Sequence, residues 1–307
     1  MNTDLFLLSD LLAELALRQL PCGGWAALAL SSQPALEATC FSTLAVGLAA
    51  PPSYVAQAQE FLLRTQNPNG SWPAFQGDEQ DGAWVTSLAV TALRDVVPAI
   101  PARLKAFHWL LECAGRESSW FWKWKFRTAD RHVRLDPDKF GWPWIPGTLS
   151  WIVPTAFSIL ALNQLPCTCG GFEKMPFRVE RGIEMLLDRA CPGGGWNAGN
   201  GVVYGVAVPP HPDDTAIALL ALTGRKQEPL VQSGLQYLVK TAPTLTAPWS
   251  LAWAILALAA YGQGIDSLYK SLVALPDLTK TDDTGTIAVA CLALDYQRTL
   301  SALGVAA

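Results

Sequence analysis

The stretch His211-Pro-Asp-Asp-Thr-Ala-Ile-Ala-Leu-Leu-Ala-Leu222 joins a polar start to an apolar run that carries no charge. Proline is favoured in the first turn of a helix, where its missing N–H costs no hydrogen bond. Asp213 and Asp214 follow it, at the end of the helix where the helix dipole favours acidic side chains. The stretch therefore predicts a buried helix whose N-terminus holds two carboxyl groups at the edge of an apolar wall.

Five further runs have the same character, and all six are apolar on nearly every side, which is typical of buried helices. They span residues 37–45, 84–93, 153–162, 213–222, 249–258 and 284–292. Amphipathic stretches alternate with them and predict an outer layer: Asp4–Leu20, Tyr54–Thr65, Ala102–Ala114, Phe177–Arg189, Glu228–Lys240 and Asp266–Leu275. This strict alternation predicts an all-α fold of two concentric rings, a closed α/α barrel in which outer helices surround inner helices. An open superhelix is the alternative.

The loops that lead from outer to inner helices share a pattern. Gln19-Leu-Pro-Cys-Gly-Gly-Trp25 and Gln66-Asn-Pro-Asn-Gly-Ser-Trp72 both have Gly four residues after Gln and Trp two residues later, and Ala190-Cys-Pro-Gly-Gly-Gly-Trp196 keeps the Gly and the Trp. Glycine commonly ends a helix in the left-handed conformation. We expect the Gly to end the outer helix, the Trp ring to pack back over its last turn, and the Gln amide to bond the carbonyls freed there.

These loops, the inner runs and Asp213-Asp214-Thr215-Ala216 together resemble squalene–hopene cyclase and its relatives. The superfamily includes sterol-forming cyclases, class II diterpene cyclases and the β subunits of protein prenyltransferases. The resemblance covers nearly the whole chain and implies the α6/α6 toroid fold with a deep apolar cavity, as a single domain over residues 1–307 with an insertion at about 116–150. Hopene cyclases contain two such barrels, whereas this chain has residues for one.

The resemblance implies a class II-type terpene cyclase that acts on a polyprenyl or squalene-like substrate. Asp213 matches the middle Asp of the family's Asp-x-Asp-Asp-Thr motif, which protonates an alkene. Asp214 follows it, and His211 replaces the first Asp. Two adjacent carboxyl groups in an apolar wall oppose each other's ionisation, and an imidazole could bond and tune the acid. Ordinary helix capping is the alternative role for these acids.

The alternative function is a non-catalytic toroid that binds an isoprenoid or a partner protein. One barrel alone leaves a substrate exposed to water, unless a homodimer or a partner subunit closes the cavity.

Aromatic side chains on or near the inner helices are candidates for contact with the substrate. A cationic intermediate needs walls that stabilise charge without reacting, and aromatic faces provide them. Core packing is the alternative role for each. The candidates are Phe41, Trp84, Trp142, Trp151, Phe157, Tyr204, Trp249 and Trp253.

We predict no cofactor. The acidic patches Asp78–Asp81 and Asp282-Asp283 offer oxygen ligands that suit Mg²⁺, but the ion would be needed only if the substrate carries a diphosphate. We favour solvated helix caps for both patches. The short stretch Cys167-Thr-Cys169 lacks the further ligands of a zinc site.

The insertion contains Trp120-Phe-Trp-Lys-Trp-Lys-Phe-Arg127, followed by Arg131 and His132. Aromatic and cationic residues in alternation are typical of contact with a membrane surface or an anionic headgroup. A segment that covers the barrel rim is the alternative. The net charge of −4 argues against nucleic acid as a partner. An odd set of seven cysteines and an N-terminus without basic residues before Arg18 favour a cytoplasmic location, with peripheral membrane contact left open.

Overall fold

A closed ring of six inner helices forms the centre of the computed structural model, which describes residues 2–49, 52–129, 134–165 and 170–305. The predicted features at Arg131, His132 and residues 167–169 lie outside these ranges. The inner helices are α2 (Leu36–Ala49), α4 (Ala83–Ala92), α7 (Ile152–Leu162), α9 (Pro212–Ala221), α11 (Pro248–Ala260) and α13 (Thr284–Leu294). Each packs on the next in this order, and α13 packs on α2. The ring is therefore closed, which rules out the open superhelix.

Six amphipathic helices surround the ring: α1 (Asn2–Arg18), α3 (Pro52–Arg64), α5 (Ile100–Glu112), α8 (Met175–Asp188), α10 (Pro229–Thr241) and α12 (Asp266–Val273). Helix α1 packs on α13 and α2, and each of the others packs on the inner helix that precedes it in the chain. The inner helices are buried along almost their whole length, whereas the outer helices bury one face only. The α6/α6 toroid is confirmed, with helix ends within a few residues of those predicted.

Two helices lie outside this alternation. Helix α14 (Tyr296–Ala302) packs on α2, α11 and α13. The Thr299 hydroxyl donates to the Leu292 carbonyl at 2.8 Å, and the Arg94 guanidinium donates to the Ala302 carbonyl at 2.9 Å. Leu292 lies in the last turn of α13, and Arg94 lies just after the end of α4, so α14 covers the C-terminal end of the barrel. Helix α6 (Trp120–Thr128) belongs to the insertion and has no buried residue.

Four tryptophans fasten the loops to both layers in the same way. The backbone N–H of each Trp donates at 2.9 Å to a threonine hydroxyl of the following inner helix: Thr39, Thr86, Thr155 and Thr215. Each indole N–H donates to a leucine carbonyl near the end of the preceding outer helix: Leu15, Leu62, Leu110 and Leu186. The predicted packing of the Trp over the helix end is confirmed. The four are Trp25, Trp72, Trp142 and Trp196.

The glycine and glutamine of these loops join neighbouring outer helices. Gly23 and Gly70 adopt left-handed backbone conformations, with φ of 92° and 96°. A side chain at Gly23 would lie 2.4 Å from the Gln57 carbonyl oxygen, so the close approach requires glycine. The Gln66 amide donates to the carbonyls of Gly70 at 3.0 Å and Ala102 at 2.8 Å. The glutamine partners predicted from the sequence are therefore wrong: the amide bonds its own loop and the first turn of the next outer helix.

The described residues also form two short antiparallel hairpins. Strands β1 (Trp72–Pro73) and β2 (Asp81–Gly82) pair at one inner-helix entry, and β3 (Val202–Val203) and β4 (Val206–Ala207) pair at another. Both lie in loops that lead into inner helices, at the N-terminal end of the barrel. Among the described residues, no helix is both long enough and apolar enough to cross a bilayer.

Candidate functional site

A pocket of about 300 Å³ opens at the N-terminal end of the barrel, opposite the end that α14 covers. Helices α2, α4, α11 and α13 all contribute to it, so it lies over the interior of the ring. Its ionisable lining residues are Glu37 and Asp283, and the remaining walls are apolar. The lining residues are Ala27, Leu28, Ala35, Glu37, Ala38, Phe41, Ala74, Phe75, Trp84, Trp249, Asp283 and Gly285.

Four aromatic side chains from three inner helices meet inside the barrel. The Phe41 ring lies 6.2 Å from that of Phe157 and 5.9 Å from those of Trp249 and Trp253, measured between ring centroids. Helices α2, α7 and α11 are not neighbours in the ring, so this aromatic cluster spans its interior. Phe157 and Trp253 form the floor below the pocket. The deep cavity expected from the sequence is therefore a shallower pocket at the mouth.

Glu37 is the carboxyl group inside this pocket. Its side chain is half-buried, and the surrounding protein together with the nearby Asp283 raises its pKa from 4.5 to about 7. The buried indole N–H of Trp84 faces the carboxyl and offsets part of this rise, although it makes no hydrogen bond of good geometry. Asp283 caps α13 and accepts from the Thr286 N–H and hydroxyl, both at 3.2 Å. At neutral pH the pocket therefore holds an acid that is close to half protonated.

Glu37 was not among the site residues predicted from the sequence, although its place in the repeated inner helices points to it. Each threonine that bonds a loop tryptophan marks the same level of its inner helix. Glu37 lies two residues before Thr39, as Trp84 lies before Thr86 and Asp213 before Thr215. Residues at this position surround the mouth of the barrel. Glu37 and Asp213 therefore occupy equivalent places on two helices of the ring.

The acidic start of α9 forms a second, more open site. His211 is the N-terminal cap residue, and its Nδ1 lies 2.9 Å from the Asp214 Oδ2. The imidazole thus contacts Asp214 rather than Asp213. Burial and the neighbouring Asp213 raise the pKa of Asp214, and the bond to His211 partly lowers it. Asp213 is half-buried and does not line the aromatic pocket, whereas His211 is exposed.

Of the other four aromatic candidates, one lines the pocket and three lie elsewhere in the fold. Trp84 lines the pocket and packs edge-on against Trp144, with ring centroids 5.0 Å apart. Trp142 is fully buried between layers, under the Arg178 guanidinium at 3.4 Å from its ring centroid. Trp151 precedes α7, and Tyr204 is exposed at the tip of the β3–β4 hairpin. Of the eight predicted contacts, the structure brings five to the pocket or its floor: Phe41, Trp84, Phe157, Trp249 and Trp253.

A buried ion pair holds the insertion against the barrel. The Arg189 guanidinium lies 2.7 Å from the Glu117 carboxylate, and both side chains are almost completely inaccessible to solvent. Arg189 also donates to the Ser150 carbonyl at 2.6 Å, and the Ser150 N–H donates to Glu117. The insertion is therefore anchored just before α6 and again just before α7.

The polar depression lined by Asn67, Asn69 and Asp81 has a larger volume than the aromatic pocket, about 630 Å³, but it lies between loops on the outside of the ring. Asp81 there accepts hydrogen bonds from both asparagines and from Ser71. The cap residue of α4 is Gly82, without a side-chain bond, so the predicted capping role is wrong for Asp81, which instead joins two loops. The lining residues of this depression include no aromatic side chain.

Comparison with known proteins supports the fold. No family model matches the sequence, and no curated protein matches it. Solved structures that resemble it include an α-amylase from Clostridium perfringens, with a TM-score of 0.65, 10% identity and coverage of 94% of this chain and 97% of that one. The endo-β-1,4-glucanase CMCax from Acetobacter xylinum gives a TM-score of 0.60 at 12% identity, and the match covers 96% of this chain and 98% of that one. The type II terpene cyclase MstE from Scytonema gives a TM-score of 0.53 at 15% identity, and the match covers 89% of this chain and 78% of that one. Identities this low show the α/α-toroid fold alone.

Proposed function

We propose that the protein binds an isoprenoid in the aromatic pocket and cyclises it by protonating an alkene, as class II-type terpene cyclases do. The observation that carries the proposal is the pocket itself. Aromatic rings form its walls and floor, and two carboxyl groups, those of Glu37 and Asp283, line it. Aromatic faces attract a carbocation without reacting with it, at about 0.5–2 kcal/mol each.

The lining favours a hydrocarbon over a sugar. A saccharide brings many hydroxyl groups, and each one buried without a partner costs free energy. The lining residues offer Glu37, Asp283 and the Trp84 indole N–H as polar side-chain groups, against a much larger apolar area. An isoprenoid needs no hydrogen bonds along its chain and buries apolar surface at about 25 cal/mol per Å².

The pocket volume indicates the length of the buried part of the substrate. At roughly 20 Å³ for each non-hydrogen atom at the density of organic crystals, about 300 Å³ holds about fifteen such atoms, or three isoprene units. A longer chain would extend past the exposed side chains of Leu28 and Phe75 at the rim. A second copy or a partner subunit that closes the pocket would cover the same rim.

Asp213 is the proton donor that the resemblance to hopene cyclases favours, and we propose this role for it, with Asp214 and His211 as its tuning groups. The hydrogen bond between His211 and Asp214 fixes the second carboxyl beside the first. The N-terminus of α9 stabilises the anion left after proton transfer.

A non-catalytic barrel that binds an isoprenoid is the second candidate function. The position of Asp213 outside the aromatic pocket favours it, because a proton donor has to reach the alkene that the pocket holds. Both candidates share the same ligand, so binding and turnover have to be measured separately.

The test combines product analysis with ligand binding. Linear isoprenoids of ten to thirty carbons, with and without a diphosphate, are incubated with the protein and with Asp213→Asn, and products are identified by gas chromatography and mass spectrometry. Quenching of the fluorescence of Trp84 and Trp249 reports binding. Cyclic isomers support the cyclase. Binding without any product supports the second candidate, and neither binding nor turnover contradicts both.

We also propose that α6 contacts a membrane surface. Trp120 and Trp124 lie four residues apart on one side of the helix, with 81% and 57% of their surfaces exposed. Lys125 and Arg116 lie over the Trp122 ring, which keeps positive charge beside the aromatic face. Exposed tryptophans next to cations are typical of helices that lie in the headgroup region of anionic bilayers.

A further inference from the structure

We infer that Glu37 is a proton donor of the aromatic pocket, acting on an alkene that lies against Phe41, Trp84 and Trp249. The inference rests on the proposed function and names a catalytic residue for it that the resemblance to hopene cyclases does not assign. Glu37 lines the pocket together with these three rings, whereas Asp213 does not.

The surroundings of Glu37 suit an acid that donates to a hydrocarbon. It lies in the first turn of α2, where the helix dipole stabilises the carboxylate that remains after transfer. The Phe41 ring is one turn further along the same helix and forms the pocket wall directly below it. Trp84 and Trp249 lie in the first turns of α4 and α11, and both line the pocket. An alkene in the pocket therefore contacts aromatic rings from three inner helices.

The raised pKa also keeps a larger fraction of this carboxyl protonated at neutral pH than in an ordinary glutamate. Burial is the main cause of its raised pKa of about 7, and the Asp283 carboxyl adds to it. The other titratable neighbour is the Cys40 thiol, whose own pKa is raised by burial and by Glu37. Asp283 is engaged as the cap of α13 through Thr286. It therefore stays in place as the group that opposes ionisation of Glu37.

The proposed step balances without a co-reactant. The O–H bond of the Glu37 carboxyl breaks, and the π electrons of the alkene form a new C–H bond with that proton. The neighbouring alkene carbon becomes a carbocation, which a second alkene of the same chain attacks to form the ring bond. The last cation loses a proton from an adjacent carbon to the Glu37 carboxylate. The net reaction is an isomerisation, and the acid is restored.

The experiment compares the full-length protein with Glu37→Gln, Glu37→Asp and Asp213→Asn. Farnesyl diphosphate and squalene are the probes, with rates measured between pH 5.5 and 8.5. The inference predicts that Glu37→Gln lowers the rate of cyclic product formation by roughly 100-fold or more, as expected for loss of a general acid. Binding of the probe, followed by tryptophan fluorescence, should change by less than about threefold, because the amide keeps the shape and polarity of the acid.

A pH profile separates proton donation from a structural role. Wild-type turnover should fall roughly tenfold per pH unit above a midpoint near 7, because the ionised acid cannot donate. Glu37→Asp should keep a measurable rate with a shifted midpoint. If Glu37→Gln fails to fold, as judged by thermal unfolding, this shift decides the question: an unshifted midpoint in Glu37→Asp overturns the inference.

Failure of the inference and failure of the proposed function give different results. A Glu37→Gln protein that cyclises at the wild-type rate, while Asp213→Asn does not, overturns the inference and leaves the cyclase standing. Loss of probe binding in Glu37→Gln overturns it as well, since the role would then be structural. If the wild-type protein forms no cyclic product from any isoprenoid, the proposed function fails and the inference falls with it.

Discussion

Glu37 should make the stability of the protein depend on pH in a way that a single substitution removes. In the folded protein its pKa is about 7, against an ordinary value of 4.5. Between these values the folded state holds a proton that the unfolded chain has released. The free energy of unfolding therefore falls as the pH rises from about 4.5 to about 7, and it levels off above the folded pKa.

The magnitude follows from the two pKa values. At about 1.4 kcal/mol per pKa unit, the gap between 4.5 and about 7 corresponds to about 3 kcal/mol. Glu37→Gln is always neutral and lacks this dependence. Relative to wild type, the variant should therefore gain about 3 kcal/mol of stability between pH 4.5 and pH 8.

The assay is urea unfolding of both proteins at pH 4.5, 6 and 8, followed by circular dichroism. Glu60→Gln is the matched control, because Glu60 is exposed on α3. The control should differ from wild type by the same amount at every pH. If the difference between Glu37→Gln and wild type is constant across this range, Glu37 is not held protonated by the fold, and the reasoning about the pocket is refuted.

Three further predictions test other parts of the structure. Glu117→Gln should lower the free energy of unfolding by about 3–5 kcal/mol in urea titrations, because it leaves the Arg189 charge buried without its partner; a loss below 1 kcal/mol would contradict this. Gln66→Ala should cost about 1–3 kcal/mol by removing one hydrogen bond within the loop and one from the loop to α5, and an unchanged melting temperature would show that these bonds do not stabilise the fold. Trp120→Ala with Trp124→Ala should abolish sedimentation with phosphatidylglycerol vesicles and leave the melting temperature unchanged, whereas undiminished vesicle binding would exclude α6 as the contact.

The architecture was predictable because its signal repeats. Six apolar runs alternate with six amphipathic ones, and small residues such as alanine and serine let the inner helices pack closely. The pairing of loop tryptophans with threonines was within reach of the same argument. In three of the loops the indole donates to a carbonyl ten residues earlier.

Trp142 shows where the sequence pattern fails. Its indole donates to the Leu110 carbonyl, which lies 32 residues earlier, because the insertion separates the outer helix from its tryptophan. With no neighbouring Gln and Gly in the expected places, this member of the set looked like a candidate for substrate contact. The structure places it between the layers, where it supports Arg178 and α8.

The state of Glu37 could not be predicted from local sequence. Its raised pKa depends on burial in the closed ring and on Asp283, which comes from the other end of the chain. Only ring closure, through the packing of α13 on α2, brings these two carboxyl groups together. Similarly, the helical form of α6 was missed because its aromatic and cationic residues alternate without the spacing of an apolar helix face.

Deuterium incorporation from solvent tests the central claim most directly. The protein is incubated in D2O with a linear isoprenoid, and the mass of each product is determined. Proton-initiated cyclisation predicts a cyclic isomer that carries one deuterium at the carbon of the former terminal alkene, since the carboxyl proton exchanges with solvent. A cyclic product without deuterium, or turnover of an oligosaccharide with no isoprenoid product, would contradict the account.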